Sequence, residues 1–77
     1  MDLMTLLREK VFSQIERRWS ETPAKVFVGP GLHPDLEGVR DKSSLACIQG
    51  CDFYLDSALP GEKIRVEVAA RTVEVEL

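Results

Sequence analysis

The sequence has few of the residues on which most enzyme and metal chemistry depends. It contains two cysteines, one histidine, one tryptophan and one tyrosine among its 77 residues. A structural zinc site takes four ligands, mostly cysteine and histidine. Two cysteines and one histidine are too few for such a site, which argues against a zinc domain. Positive charge is also scarce, because 10 lysines and arginines face 13 aspartates and glutamates, for a formal net charge of -3. Such a chain does not attract nucleic acid or anionic membranes through its overall field.

Long hydrophobic runs are missing as well. No stretch approaches the roughly 18 apolar residues of a membrane span. Charged residues arrive before any apolar segment of signal-peptide length, which argues against secretion by that route. We therefore predict a soluble, cytoplasmic protein without membrane contact. A chain of 77 residues supplies one small core and not two, so residues 1–77 are interpreted as a single domain.

Residues 1–22 carry the strongest periodic signal. Their apolar positions recur at spacings of three and four, as expected for one face of a helix, and comprise Leu3, Met4, Leu6, Leu7, Val11, Phe12, Ile15 and Trp19. We predict an amphipathic helix over residues 1–22, capped by Asp2 or Thr5 and ended by Pro23. The apolar stripe is wider than an exposed helix on one small sheet needs.

Residues 24–77 have the alternating pattern of strands. Strands are predicted at residues 24–28, at residues 45–56, and in a hairpin at residues 64–68 and 73–77. Residues 45–56 form either one long bent strand or two short strands broken at Gly50. Residues 29–44 are rich in proline and glycine and are predicted to be a long loop, either a binding loop or a disordered one.

These elements predict an α+β fold. The N-terminal amphipathic helix packs on a small antiparallel sheet, or on a partly closed barrel, of about four strands. The short connections after residue 56 favour antiparallel pairing, because a parallel crossover needs a dozen or more residues.

Cys47 and Cys51 are the first candidates for special chemistry. On one continuous strand their Cα atoms would lie about 13 Å apart, well beyond the roughly 7 Å limit for a disulfide. Both are interpreted as buried thiols in a reducing cell. We predict no metal and no cofactor.

The one cluster in the sequence with residue types suited to general acid/base catalysis is His33, Asp35 and Glu37. These residues lie in the predicted loop. Pro34 favours a single helical turn there, with proline at its first position. No nucleophile elbow, HExxH pair or phosphate-binding loop accompanies the cluster. We therefore predict no catalytic residue and no enzyme activity. The remaining candidates for a cation site are dispersed and are interpreted as solvated carboxylates, namely Asp35, Asp41, Asp52 and Asp56.

The segment Ala58-Leu59-Pro60-Gly61-Glu62 leading into residues 63–68, with Val75-Glu76-Leu77 at the end, resembles the last two strands of TRAM-type RNA-binding barrels. That resemblance implies an oligonucleotide partner. No site residues are taken from that resemblance. The alternative function is an oligonucleotide-binding small barrel that uses Arg40 and Lys42 together with exposed aromatic residues such as Phe27 and Tyr54. Residues 61–77 hold more carboxylates than cations, which argues against phosphate binding.

The leading hypothesis is a non-enzymatic protein-protein interaction module, either self-associating or docking on a larger protein. Its last strand runs to Leu77 with the alternating pattern unbroken, and an edge strand of that kind invites strand addition. The wide helix stripe would suit a partner protein or a second copy. Arg8 and Arg18 fall within the stripe, where their stems can extend to water. The candidate interaction residues are Leu3, Met4, Leu6, Arg8, Trp19, Val73, Val75 and Leu77.

Overall fold

A computed structural model describes residues 1–18, 23–60, 63–68 and 71–76. In these residues one N-terminal helix packs on an open sheet of five strands, which is an α+β fold as predicted. The helix, α1, consists of the consecutive segments Leu3–Thr5, Leu6–Phe12 and Ser13–Arg18. The strands are β1 Lys25–Val28, β2 Ser44–Ile48, β3 Cys51–Leu55, β4 Lys63–Val68 and β5 Arg71–Glu76.

Helix α1 begins at Leu3, and its N-cap residue is Asp2, whose carboxylate accepts a hydrogen bond from the Thr5 N–H at 2.8 Å. This N-cap satisfies a backbone donor that has no partner within the helix. The segment Leu6–Phe12 is π-helical, with hydrogen bonds between residues five apart. In α-helical geometry Leu7 and Phe12 would be turned about 140° from each other. The wider turn lets both side chains reach the core, where they are buried.

The sheet has the strand order β2-β3-β1-β4-β5. The central strand, β1, pairs parallel with β3 and antiparallel with β4. The outer pairs, β2 with β3 and β4 with β5, are antiparallel. The two ends of the described sheet are therefore β2 and β5.

The sheet differs from the prediction in three ways: it has five strands where about four were expected, it is mixed where an antiparallel sheet was expected, and it is open where a barrel was the alternative. The fifth strand arises because residues 45–56 divide at Gln49 and Gly50. Both have positive φ, 50° and 82°, as a two-residue type I′ hairpin turn requires. The parallel pair arises because the chain after β1 returns through residues 29–43 and β2 before β3 begins.

The core lies between α1 and one face of the sheet, which we call the inner face. It forms a single cluster of buried side chains: Leu7, Val11, Phe12, Ile15, Val26, Val28, Leu36, Ile48, Cys51, Phe53, Leu55, Ile64, Val66 and Val68. Alternate residues of β1, β3 and β4 point into it, as the period of two predicts. The opposite face of the sheet, the outer face, is not covered by α1.

The segment between β1 and β2 is more ordered than a long loop. It forms two short 3₁₀ turns, Pro30–Leu32 and Pro34–Leu36, and the second starts with proline at its first position as predicted. Leu36 is fully buried in the core, so it anchors the segment to the rest of the molecule.

The predicted helix stop before Pro23 involves residues 19–22, which lie outside the described residues. No helix in the described part of the chain is long and apolar enough to cross a membrane.

Candidate functional site

The edge of β5 that no described strand covers, here called the free edge, is the first candidate surface. Hydrogen bonds at the centre of the sheet determine which backbone groups it presents. The N–H of Asp52 donates to the Ala24 carbonyl at 3.1 Å, and the N–H of Asp56 donates to the Val28 carbonyl at 2.9 Å. Even-numbered residues around β1 therefore point their carbonyls towards β3. Because backbone groups alternate in direction along a strand, Lys25 and Phe27 point towards β4.

The same alternation determines the direction of the backbone groups on β4 and β5. Lys25 and Phe27 are in register with odd-numbered residues of β4, so Val66 and Ile64 point towards β5. Their register partners on β5 are Val73 and Val75. The intervening residues Thr72, Glu74 and Glu76 consequently direct their N–H and C=O groups away from β4, to the free edge.

Strand β5 is regular along its whole length. Six consecutive residue pairs join it to β4 with no register shift. On the inner face Val73 and Val75 are only partly buried, whereas their β4 partners Val66 and Ile64 are fully buried. The edge of β5 therefore combines outward backbone groups with two valines that a further strand could cover.

The opposite edge, β2, has a different character. Its pairing with β3 shifts register between Ser44 and Ala46, which marks a bulge. A bulge bends and twists a strand and interrupts its ladder, and it is one of the ways in which proteins protect an edge from further pairing. This edge is a poorer template for an added strand.

The outer face carries a stack of side chains in one cross-strand row. Phe27 is in register with Tyr54 on one side and with Arg65 on the other. The two rings stack with centroids 5.5 Å apart at an interplanar angle of 27°. The Arg65 guanidinium lies 5.8 Å from the Phe27 centroid, and the ammonium of Lys42 lies 5.3 Å from it. Lys25 lies 5.8 Å from the Tyr54 centroid. These are cation–π distances.

Asp56 holds two of these cations in place. Its Oδ2 atom lies 3.0 Å from Lys42 Nζ and 2.7 Å from Arg65 Nη1, and its Oδ1 accepts a hydrogen bond from the Ala58 N–H at 3.0 Å. The hydrogen bond from Lys42, followed by that from Ala58, lowers the pKa of Asp56. Asp56 is only 2% exposed, so its interpretation as a solvated carboxylate was wrong. The sequence places it at the end of the predicted strand region 45–56 but does not indicate which cations converge on it.

The charges of the outer face are balanced. Lys42 and Arg65 share Asp56, while Lys25 lies in register between Asp52 and Glu67. The stack thus has the residue types of a single-stranded nucleic-acid site, aromatic rings with cations. It lacks the unbalanced positive charge that draws phosphate to such a site.

The structure distributes the predicted interaction residues over two elements. On α1, Leu3 and Leu6 are partly buried, while Met4 is 41% exposed and Arg8 is exposed. Val73 and Val75 lie on β5 at the sheet edge. Trp19 and Leu77 lie outside the described residues. Of the residues assigned to the oligonucleotide alternative, the structure brings together Phe27, Tyr54 and Lys42.

His33 interacts with the backbone through both ring nitrogens. Its Nε2 lies 2.9 Å from the Met1 carbonyl oxygen, and its Nδ1 accepts a hydrogen bond from the Asp35 N–H at 3.0 Å. Because Nδ1 accepts, the proton of the neutral ring is assigned to Nε2, which donates to Met1. The side chain therefore fastens the start of the chain to the segment before Pro34–Leu36.

The two cysteines lie on opposite faces of the hairpin formed by β2 and β3. Cys47 is exposed and in register with Asp52, while Cys51 is fully buried and in register with Ile48. Burial raises the pKa of the Cys51 thiol to about 11. The prediction of two buried thiols was wrong for Cys47. The turn at Gln49 and Gly50 pairs Ile48 with Cys51, so Cys51 faces the core with Ile48 while Cys47 lies opposite Asp52 on the other face.

Two features were not anticipated from the sequence. One is the role of Asp56, and the other is the set of outward-directed residues on β5. The alternation of residues along a strand indicates which side chains share a face. It does not indicate which backbone groups are paired, because this depends on where the neighbouring strand lies. For β5 it follows from the position of β4 beside β1.

Comparison of the chain with family models, with curated proteins and with solved structures gives no significant match.

Proposed function

We propose that this protein is a non-enzymatic protein-protein interaction module that binds an extended segment along β5. The observation that carries the proposal is the edge geometry of β5, a six-residue strand in continuous register whose residues Thr72, Glu74 and Glu76 direct backbone groups outward. Main-chain hydrogen bonds to such an edge supply affinity in strand addition.

The partly buried valines add to this proposal. An extended segment paired with β5 would place every second side chain on the inner face, beside Val73 and Val75. It would remove apolar surface of both valines from water, and such burial contributes about 25 cal/mol for each Å². Backbone pairing and apolar burial then act together at one edge.

The exposed part of α1 is a second contact in the same proposal. Met4 is exposed and Leu3 and Leu6 beside it are partly buried, so the helix adds apolar surface to an interface. We therefore assign recognition to β5 and a supporting role to Met4.

A catalytic role is not proposed. Both nitrogens of His33 are engaged by backbone groups, and Cys51 is buried with a raised pKa. Oligonucleotide binding is also not proposed, because the cations at Phe27 and Tyr54 lie beside carboxylates. The exposed free thiol of Cys47 is consistent with a reducing compartment, and we propose the cytoplasm.

The experiment is selection of binders from a displayed library of random short peptides, followed by mapping of each binder through backbone amide shifts. We expect binders whose largest shifts fall on Thr72, Glu74 and Glu76. Glu74→Pro removes one outward N–H without removing a bond to β4, so it should abolish their binding. Cys47→Ser, on the β2 edge, is the matched control and should bind normally. A library without binders, or binders that tolerate Glu74→Pro, would refute the proposal.

A further inference from the structure

The side chains of β5 specify the chemistry of the segment that this edge would accept. Glu74 and Glu76 project from the outer face on the outward-directed residues. A residue of an added strand directly opposite either of them would lie about 5 Å away between Cβ atoms. Opposite charges stabilise such pairs and like charges destabilise them.

The strands already present follow this rule. Arg65 and Lys63 on β4 are in register with Glu74 and Glu76 on β5. Positively charged residues on β4 thus lie in register with negatively charged residues on β5, while the ion pair of Arg65 is made with Asp56. A further strand with positive side chains would continue the alternation of charge across the sheet.

A second copy of this chain does not satisfy the same rule. Two copies related by a two-fold axis would pair their β5 strands antiparallel. The register that pairs all three outward-directed residues places Glu74 opposite Glu74 of the second copy. Like charges directly opposite each other disfavour that arrangement.

We infer that the partner of β5 is an extended segment of another protein in which lysine or arginine alternates with apolar residues. Its basic side chains face Glu74 and Glu76 on the outer face, and its apolar side chains cover Val73 and Val75 on the inner face. This inference rests on the proposed function, since it describes the occupant of the same edge.

The test uses three labelled peptides with the full chain: one alternating valine with lysine, one alternating valine with glutamate, and one with the composition of the first but its valines grouped. Fluorescence anisotropy should show the alternating basic peptide binding at least about tenfold more tightly than the acidic one, as two opposed charge pairs imply. The grouped peptide should bind weakly, because it cannot place lysine and valine on separate faces. Equal binding of the basic and grouped peptides would indicate simple charge attraction and overturn the inference.

Variants of the protein separate this inference from the proposed function. Glu74→Lys should abolish the preference, because each peptide then meets one attractive and one repulsive charge, at positions 74 and 76. Glu74→Gln should reduce the preference without abolishing it and serves if the lysine variant does not fold. Glu16→Lys makes the same charge change on α1 and should leave the preference intact. Binding at β5 without charge preference, or dimerisation through β5, would overturn the inference about the basic partner and leave the proposed function standing. Failure of all three peptides together with an empty library selection would overturn the proposed function as well.

Discussion

The two edges of this sheet are built differently although they belong to one small molecule. The β2 edge has five residues and a register shift between Ser44 and Ala46, while the β5 edge has six residues in unbroken register. A bulge interrupts the hydrogen-bond ladder of a strand, so a further strand pairs with it poorly. A regular edge strand keeps its outward backbone N–H and C=O groups aligned for pairing. Edge protection among the described strands is therefore local to the β2 side.

The faces at the two edges also differ. At β2, Ile48 reaches the core and is 6% exposed. At β5, Val73 and Val75 stay partly exposed on the same inner face. Leu45 and Ala46 on β2 are partly buried as well, so apolar surface remains at both edges. At β5 that surface lies beside backbone groups aligned for pairing, which is the arrangement expected of a strand-addition site.

The largest expected effect comes from proline at neighbouring positions of β5. Val73→Pro removes a hydrogen bond to β4 and should lower the free energy of unfolding by as much as about 3 kcal/mol. Glu74→Pro removes an outward N–H and should cost less than about 1 kcal/mol. Urea unfolding of the two variants measures the difference. Equal costs would mean that the assignment of outward residues on β5 is wrong.

A smaller loss is expected at Asp56, which links Lys42 before β2 to Arg65 on β4 and so joins the two sides of the molecule. Asp56→Ala should lower the free energy of unfolding by about 2 kcal/mol. A fully buried ion pair would lose more, but the Lys42 side chain is 55% exposed and can regain water. Urea unfolding should show this loss with the binding preference of β5 unchanged in folded protein. An unaltered stability would contradict the role given to Asp56.

The same carboxylate predicts an acid dependence. The pKa of Asp56 is lowered in the folded state, so its contribution is present above the unfolded value and is lost as the pH falls through the folded one. Thermal unfolding should therefore show stability declining below about pH 4. The decline should be shallower in Asp56→Asn than in the unaltered chain. Parallel pH profiles for the two proteins would rule out this contribution.

The smallest effect is expected at the β2 edge. Cys47 is exposed, so a bulky maleimide should react with it in the native protein and leave peptide binding at β5 unchanged. Cys51 should stay unreacted, because it is fully buried and its pKa is raised to about 11. Mass spectrometry after labelling counts the adducts. Loss of peptide binding on labelling would show that β2 is the interacting edge.

The sequence predicted the fold class, and the reason is visible in particular residues. Apolar spacing predicted α1, and alternation predicted the hairpin of β4 and β5 with Val66 and Val73 on one face. Pro34 predicted a short turn, and the structure contains one. These are local properties, and they depend on residues close together in the chain.

The candidate site was less predictable because it depends on distant pairing. The parallel pairing of β1 with β3 brings Phe27 beside Tyr54, and β4 on the other side adds Arg65. The order of strands in the sheet cannot be read from the periodicity of any one of them. Placement of Asp56 among two cations follows from that order, and so does the direction of the backbone groups of Glu74.

Amide hydrogen exchange resolved by residue, with and without the alternating valine-lysine peptide, reports which backbone groups of β5 are open and which the peptide covers. In the free protein the amides of Thr72, Glu74 and Glu76 should exchange rapidly while those of Val73 and Val75 are protected. Saturating peptide should then protect the three outward amides and leave the β2 edge unchanged. Protection of those amides in the free monomer, or new protection at β2 in their place, would contradict the assignment of β5 as the interaction edge.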